Sequence, residues 1–157
     1  MDELPVQAGT YALILELTHN QILDIGQLGK FDFHAGWYVY VGSAHGPGGI
    51  RARLGRHLRG AGKTRWHIDY LRIVSTVRGY GYIAVEALPL PNISQECTWV
   101  QKLAAETSAT LPIPKFGASD CKMGCAAHLI YFSQLRCTQI FEILSNIQFE
   151  IVCQKLC

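Results

Sequence analysis

The sequence lacks long apolar runs, strong net charge and repeated or low-complexity segments. No segment reaches the ~18 apolar residues that span a bilayer. The opening residues, MDELPVQAG, show no basic stretch followed by an apolar run, which is the pattern of a secretory signal. Only 17% of the residues are charged, the formal net charge is +2 and 49% are hydrophobic, which argues against disorder. We therefore expect a soluble, cytoplasmic, globular protein with no membrane partner.

Acidic residues are absent between Asp32 and Asp69. Of the 14 Lys and Arg residues, six fall in that gap: Arg51, Arg53, Arg56, Arg59, Lys63 and Arg65. Cations clustered without acids are typical of a phosphate-binding surface, although a solvated helix face is the alternative. The gap predicts a nucleic-acid-binding surface built from Arg51, Arg56, Arg59, Lys63 and Arg65.

Extended and helical patterns are mixed along the 157 residues, a length that fits a single domain. Apolar runs or apolar–polar alternation predict strands at 10–17, 21–26, 37–44, 76–86, 128–133 and 148–153. Apolar residues at helical spacing predict helices at 49–58, 66–74, about 94–106 and 139–147. Residues 28–36 read as a glycine-bounded loop and 88–92 as a linker. The mixture predicts the α+β class for one domain over 1–157, with a core at about 8–133 and a C-terminal extension at about 134–157.

Two polar side chains lie beside the apolar stripe of the helix predicted at 49–58. Arg53 and His57 are spaced i, i+4, so they share one flank next to Ile50, Leu54 and Leu58. A solvated face would not require an Arg and a His at the edge of the core. Either the arginine lies over the sheet with its charge in water, or the pair serves a binding site.

Glu96 heads the apolar stripe formed by Trp99, Val100 and Leu103. A carboxylate on an inward helix face is costly unless it is paired, hydrogen-bonded or bound to a metal. A role at the positive end of the helix dipole is the alternative, and either Asn92 or Ser94 can cap this helix.

Strand tyrosines and a cysteine cluster complete the set of candidate residues. Tyr11 begins the first strand, while Tyr38, Tyr40 and Gly42 share one face of another; such tyrosines commonly pack in a core. Cys121-x-x-x-Cys125-x-x-His128 has ligand types and spacing compatible with zinc. Cys97 or His67 could complete a tetrahedron, and buried thiols beside an unrelated histidine are the alternative.

In this order the motifs resemble the GIY-YIG nuclease superfamily. Gly9-Thr10-Tyr11 is similar to its first motif and Tyr40-Val41-Gly42 to its second. The superfamily has an Arg on the following helix with a His or Tyr four residues later, and a metal-binding Glu on a later helix. The resemblance carries these roles to Arg53, His57 and Glu96, and it implies a small central antiparallel sheet flanked by helices.

A closer resemblance covers residues 9–133. GTYALIL, AGWYVYVGSAHGPGG, RHLR, WHIDYL, EC and FGASDC are similar to an uncharacterised subfamily that is sometimes fused to endonuclease III-like glycosylases. The chain departs from the superfamily where many members have Asn in a Pro-x-aromatic-Asn context, because Gly117 ends Pro114-Lys115-Phe116-Gly117. That role is unfilled or moved to Ser119 or Asp120.

The resemblance implies a metal-dependent endonuclease acting on nucleic acid, with structured DNA favoured over RNA as substrate, in repair or recombination. Glu96 would bind Mg²⁺ or Mn²⁺, and Arg53 would neutralise phosphate charge. A tyrosine of lowered pKa, Tyr11 before Tyr40, would act as general base, and His57, whose intrinsic pKa is near neutral, would accept or relay the proton. Separately from the resemblance, the ligand types and their spacing predict that structural zinc would be held by Cys97, Cys121, Cys125 and His128. The alternatives are a non-catalytic nucleic-acid-binding module of the same fold and a zinc-stabilised interaction domain.

Overall fold

A computed structural model describes the strands and helices of residues 3–60, 62–84, 94–147 and 151–156. The strands in these ranges are β1 (Gly9–Leu17), β2 (Gln21–Asp24), β3 (Lys30–Phe33), β4 (Gly36–Ala44), β5 (Thr76–Ala84), β6 (Ala109–Thr110), β7 (Leu129–Phe132) and β8 (Val152–Lys155). The helices are α1 (Gly49–Arg59), α2 (His67–Val74), α3 (Gln95–Ala104) and α4 (Cys137–Ser145), with a 3-10 turn at Gly26–Leu28.

Six strands form one antiparallel sheet in the order β6-β7-β4-β1-β5-β8, and β2 pairs with β3 separately. The predicted α+β class and central antiparallel sheet are confirmed. β1 is central because its run of apolar residues can be buried on both faces. Its pairing with β4 places Tyr11 directly opposite Gly42.

Each face of the sheet carries its own apolar cluster, because successive strand residues point to opposite sides. On the first face, Tyr11, Leu13 and Leu15 pack with residues of α1 and α2. On the second face, Ala12 and Ile14 pack with α3 and α4. Tyr38 and Tyr40 lie on the first face and Val39 and Val41 on the second, as the alternation along this strand predicts.

The structure differs from the predictions at Lys30–Phe33. We predicted a glycine-bounded loop here, yet the segment pairs with β2 and buries Phe33 in the first cluster. The pairing is long-range information that a four-residue pattern between glycines does not carry.

The extension after residue 133 packs on the same sheet. α4 contributes Ile140 and Leu144 to the second cluster, and β8 is the edge strand beside β5. The predicted linker at 88–92, the alternative cap Asn92, the end of the predicted strand at 85–86 and residues 148–150 of the last predicted strand lie outside the described residues. Among the residues that the structure describes, no helix is long and apolar enough to cross a membrane.

Candidate active site and metal centre

A cavity of about 480 Å³ opens where β1, β4 and the first turns of α2 and α3 meet the loop that follows β6. The predicted site residues that line it are Tyr11, Tyr40, Arg53, Arg65, Glu96, Cys97, Cys121 and His128. His57 is buried directly behind Tyr11, with its Nε2 2.9 Å from the phenol oxygen. The fold thus brings together side chains that are up to 117 residues apart in the sequence, the separation of Tyr11 and His128.

Tyr11 lies flat across the strand that pairs with it. A Cβ atom on Gly42 would stand 2.6 Å from Cζ and 2.6 Å from Oη of Tyr11. Only the absence of a side chain at position 42 leaves space for this ring, which is 1% exposed. The glycine of Tyr40-Val41-Gly42 therefore has a steric role in holding Tyr11 against His57.

We expect Gly42→Ala to destabilise the fold by about 1–3 kcal/mol, the usual cost of overpacking, and to displace Tyr11 from His57. Gly62→Ala is the matched control, since no atom lies within 4 Å of a Cβ at that exposed glycine. Urea unfolding of both variants checks the cost. Equal stability of the two would contradict the steric role.

Both tyrosines differ from the prediction of a lowered pKa. Burial, then the neighbouring Tyr40, raises the pKa of Tyr11 well above its ordinary value, while Arg53 lowers it. Burial and Glu96 raise the pKa of Tyr40 in the same way. The prediction failed because sequence spacing does not report how completely a strand tyrosine is removed from water.

His57 is a neutral imidazole at physiological pH. Burial is the main cause that lowers its pKa to about 4, and Arg56 and Arg53 act in the same direction. The near-neutral intrinsic pKa of histidine, on which the predicted role of His57 rested, is therefore lowered in the folded protein. The Nδ1 of His57 has no hydrogen-bond partner among the described residues. Within that part of the chain, the imidazole is therefore hydrogen-bonded through Nε2, to Tyr11.

Arg53 and Arg56 both lie over the ring of Trp66. Their guanidinium carbons are 4.7 Å and 4.5 Å from the ring centroid, within cation–π range. Arg53 also lines the cavity. This arrangement holds the Arg53 charge at the cavity wall, next to Tyr11.

Arg56, by contrast, is bonded to a buried carboxylate. Its Nη1 and Nη2 donate to Asp69 at 2.7 Å and 3.0 Å, and Asp69 also accepts from the backbone N–H groups of Arg65 and Trp66. Burial opposes ionisation, but these bonds outweigh it and lower the pKa of Asp69. Of the predicted phosphate contacts, Arg56 is therefore already paired, and Arg51 pairs with Glu3. Arg59, Lys63 and Arg65 are exposed.

Glu96 begins α3 beside its cap. Ser94 is the cap, because its Oγ accepts from the N–H of Cys97, which confirms one of the two predicted capping residues. The Glu96 side chain is 18% exposed, and its Oε1 lies 2.7 Å from His128 Nδ1. The two atoms are in contact, although the angle at the ring nitrogen does not satisfy a hydrogen bond.

Four predicted zinc ligands converge beside Glu96. The Sγ atoms of Cys97, Cys121 and Cys125 and a ring nitrogen of His128 all lie within 4.8 Å of one another. Cys97 Sγ is 3.4 Å from Cys121 Sγ and 3.8 Å from His128 Nε2. Tetrahedral zinc with ordinary bond lengths separates two sulfurs by about 3.8 Å and a sulfur from a nitrogen by about 3.6 Å. This Cys₃His cluster has the donor types and spacing to bind a metal ion such as zinc.

The thiols of this cluster also have perturbed acidities. Burial raises the pKa of Cys121, but hydrogen bonds from Cys125, Cys97 and Met123 outweigh it and lower the value to about 7. Burial and the two neighbouring thiols raise the pKa of Cys125. The Cys121 thiol therefore loses its proton more readily than the Cys125 thiol, as expected where several thiols lie close enough to bind one cation.

Comparison with known proteins identifies the family of this chain. The family model described as "Domain of unknown function DUF123" matches residues 10–148. The chain belongs to this family. The comparisons found no similar curated protein and no similar solved structure.

The DUF123 domain has further cavity residues that sequence reasoning assigned incompletely. His67, an alternative fourth zinc ligand, instead accepts the N–H of Gly117 through Nδ1 at 2.9 Å. Gly117 has a φ of +69°, and a Cβ there would lie 2.9 Å from the ring of Tyr40. A glycine therefore suits the position where many members of the resembled superfamily have Asn. Ser119 and Asp120 both line the cavity.

Asp69 is the functional-site neighbour that the sequence analysis missed. It was visible only as the end of the acid-free segment. Its position three residues after Trp66, at the start of a helix, is a capping pattern that could have indicated its bonds to the backbone.

Proposed function

We propose that this DUF123 domain is a metal-dependent endonuclease of the GIY-YIG type, which hydrolyses phosphodiester bonds in structured DNA during repair or recombination. The observation that carries the proposal is the meeting of Tyr11, Tyr40, Arg53 and Glu96 in one cavity, with exposed cations beside it. These are the residue types that phosphodiester hydrolysis requires: a proton acceptor, a fixed positive charge and a carboxylate.

Glu96 would hold Mg²⁺ or Mn²⁺. One contact at Oε1 leaves the carboxylate with further acceptor capacity, and Asp120 supplies a second carboxylate in the cavity wall. When bound, such a cation supplies Lewis-acid activation of the phosphate and stabilises the leaving oxygen.

Arg53 binds the non-bridging oxygens of the scissile phosphate and offsets the charge that develops there. Its stacking on Trp66 limits the motion of the guanidinium, so the charge is positioned before substrate arrives.

Tyr11 and His57 move the proton. As water adds to phosphorus, its proton passes to Tyr11 Oη while the phenol proton passes to His57 Nε2, and the bond to the leaving oxygen breaks.

A nicking assay tests the activity. Plasmid DNA, branched DNA and structured RNA are incubated with the protein in Mg²⁺, in Mn²⁺ and in EDTA. The proposal expects cleavage that depends on the divalent ion and favours a structured DNA. A wild-type protein inert on every substrate would favour the non-catalytic binding module instead.

We also propose that the Cys₃His cluster binds a structural zinc ion. We expect metal analysis to give about one zinc per chain, and Cys125→Ser to abolish it. Cys153→Ser is the matched control, since that free cysteine lies outside the cluster. Zinc retained without cleavage of any substrate would favour the zinc-stabilised interaction domain.

The predicted nucleic-acid surface is tested through salt. We expect Arg59→Gln with Lys63→Gln to lower the slope of log K against log salt concentration by about one unit per lost phosphate contact. Both side chains are exposed. Arg56→Gln is a poor probe, because it would break the pair with Asp69. Lys155→Gln, on the edge strand β8, is the control, and an unchanged slope in the double variant would place binding elsewhere.

A further inference from the structure

His128 touches both the cysteine cluster and the carboxylate of the cavity. Its Nε2 lies 3.8 Å from Cys97 Sγ, and Nδ1, on the other side of the ring, lies 2.7 Å from Glu96 Oε1. Glu96 and Cys97 are also consecutive in α3. The carboxylate is therefore joined to the cluster twice, through the helix backbone and through an imidazole.

The chemistry of the imidazole links these two contacts. A histidine that gives the Nε2 lone pair to a metal carries its proton on Nδ1, and that N–H then requires an acceptor. The His128 side chain is 3% exposed, and its Nδ1 makes no well-aligned hydrogen bond to the described residues. Glu96 Oε1, 2.7 Å from Nδ1, is the acceptor within reach of that N–H once the two groups are aligned. Histidine ligands of zinc commonly donate their second N–H to a carboxylate in this way.

We propose that Glu96 is the carboxylate partner of His128, so that zinc in the Cys₃His cluster orients the carboxylate that faces the cavity. The inference rests on the proposed zinc site and on Glu96 as the anchor of the second cation. It makes His128 a positioning residue as well as a ligand. It also couples the two metal sites: zinc that orients Glu96 would strengthen the binding of the second cation, and by reciprocity that cation would strengthen zinc binding by the same factor.

Zinc affinity tests the first half of the coupling without any cleavage assay. Wild type, Glu96→Gln, Glu96→Ala and the control Glu106→Ala compete for zinc with a chromophoric chelator, and Co²⁺ replaces zinc to report the ligand field. We expect Glu96→Ala to bind zinc roughly 10- to 100-fold more weakly and to shift the Co²⁺ spectrum. Glu96→Gln, which keeps an acceptor but no charge, should lie between it and wild type. Wild-type affinity and spectrum in Glu96→Ala, or no zinc binding by wild type, would overturn the inference.

Manganese affinity tests the second half. The amide nitrogen of Asn approximates Nδ1 of histidine, so His128→Asn keeps a donor for Glu96 while removing the Nε2 ligand. His128→Ala removes both. We expect Mn²⁺ binding, followed by electron paramagnetic resonance, to weaken in the order wild type, His128→Asn, His128→Ala. Equal Mn²⁺ affinity in all three, or none in wild type, would overturn the coupling.

The outcomes separate this inference from the proposed nuclease activity. Glu96-dependent zinc affinity in a protein that cleaves nothing would contradict the nuclease and leave the link between Glu96 and His128 standing. Divalent-dependent cleavage by a protein whose zinc affinity does not depend on Glu96 would support the nuclease and contradict the link between Glu96 and His128.

Discussion

Glu96→Gln is expected to reduce divalent-ion-dependent cleavage by about 1000-fold or more, while nucleic-acid binding without a divalent ion persists. Lewis-acid stabilisation by a bound cation contributes several kcal/mol to the transition state, and each 1.36 kcal/mol is tenfold in rate. Binding persists because the exposed cations near α1 do not depend on this carboxylate. Single-turnover cleavage at saturating zinc and a separate binding assay in EDTA measure the two effects.

Glu106→Gln is the control for this variant. It removes the same charge from an exposed position just beyond the other end of α3. A carboxylate that interacted only with the helix dipole would contribute ~1 kcal/mol or less to the stability of the protein, and its loss would leave turnover intact. Full cleavage by folded Glu96→Gln in Mg²⁺ or Mn²⁺ would contradict the proposed mechanism.

Asp69→Asn is expected to lower the free energy of unfolding by about 3–5 kcal/mol, the usual cost of removing one partner of a buried ion pair. The Asp69 side chain is 0% exposed, accepts both guanidinium nitrogens of Arg56 and caps the start of α2 through Trp66. Urea unfolding measures the change. The variant should also loosen the cavity wall that Arg65 and Trp66 form.

Glu16→Gln provides the comparison, because Glu16 pairs with Arg78 where both side chains are about one-third exposed. Such a pair contributes about 1 kcal/mol or less. Equal losses in the two variants would contradict the importance of burial at Asp69.

The contribution of Asp69 to the stability of the protein also depends on pH. The pKa of Asp69 is lowered in the folded protein, so this contribution is complete above the unfolded pKa near 3.9 and is lost as the pH falls through the folded pKa.

Local patterns in the sequence determined most of the elements and the members of one candidate metal cluster. Alternation along Trp37–Gly42 identified the two faces of β4, and helical spacing identified α1 and α3, because these periods are properties of neighbouring residues. The candidate metal cluster could also be predicted from the sequence, since Cys121, Cys125 and His128 lie close in sequence and have side chains of the types that zinc prefers. The membership in the GIY-YIG superfamily stays a prediction.

Only the tertiary structure decided what depends on distant contacts and on burial. The pairing of β3, the space that Gly42 leaves for Tyr11 and the capture of Arg56 by Asp69 each join segments that no local period connects. The raised pKa of Tyr11 and the lowered pKa of His57 follow from complete removal from water, which spacing cannot report. The contact of Glu96 with His128 is of the same kind, because 32 residues separate them and only the packing of α3 against the loop before β7 brings carboxylate and imidazole together.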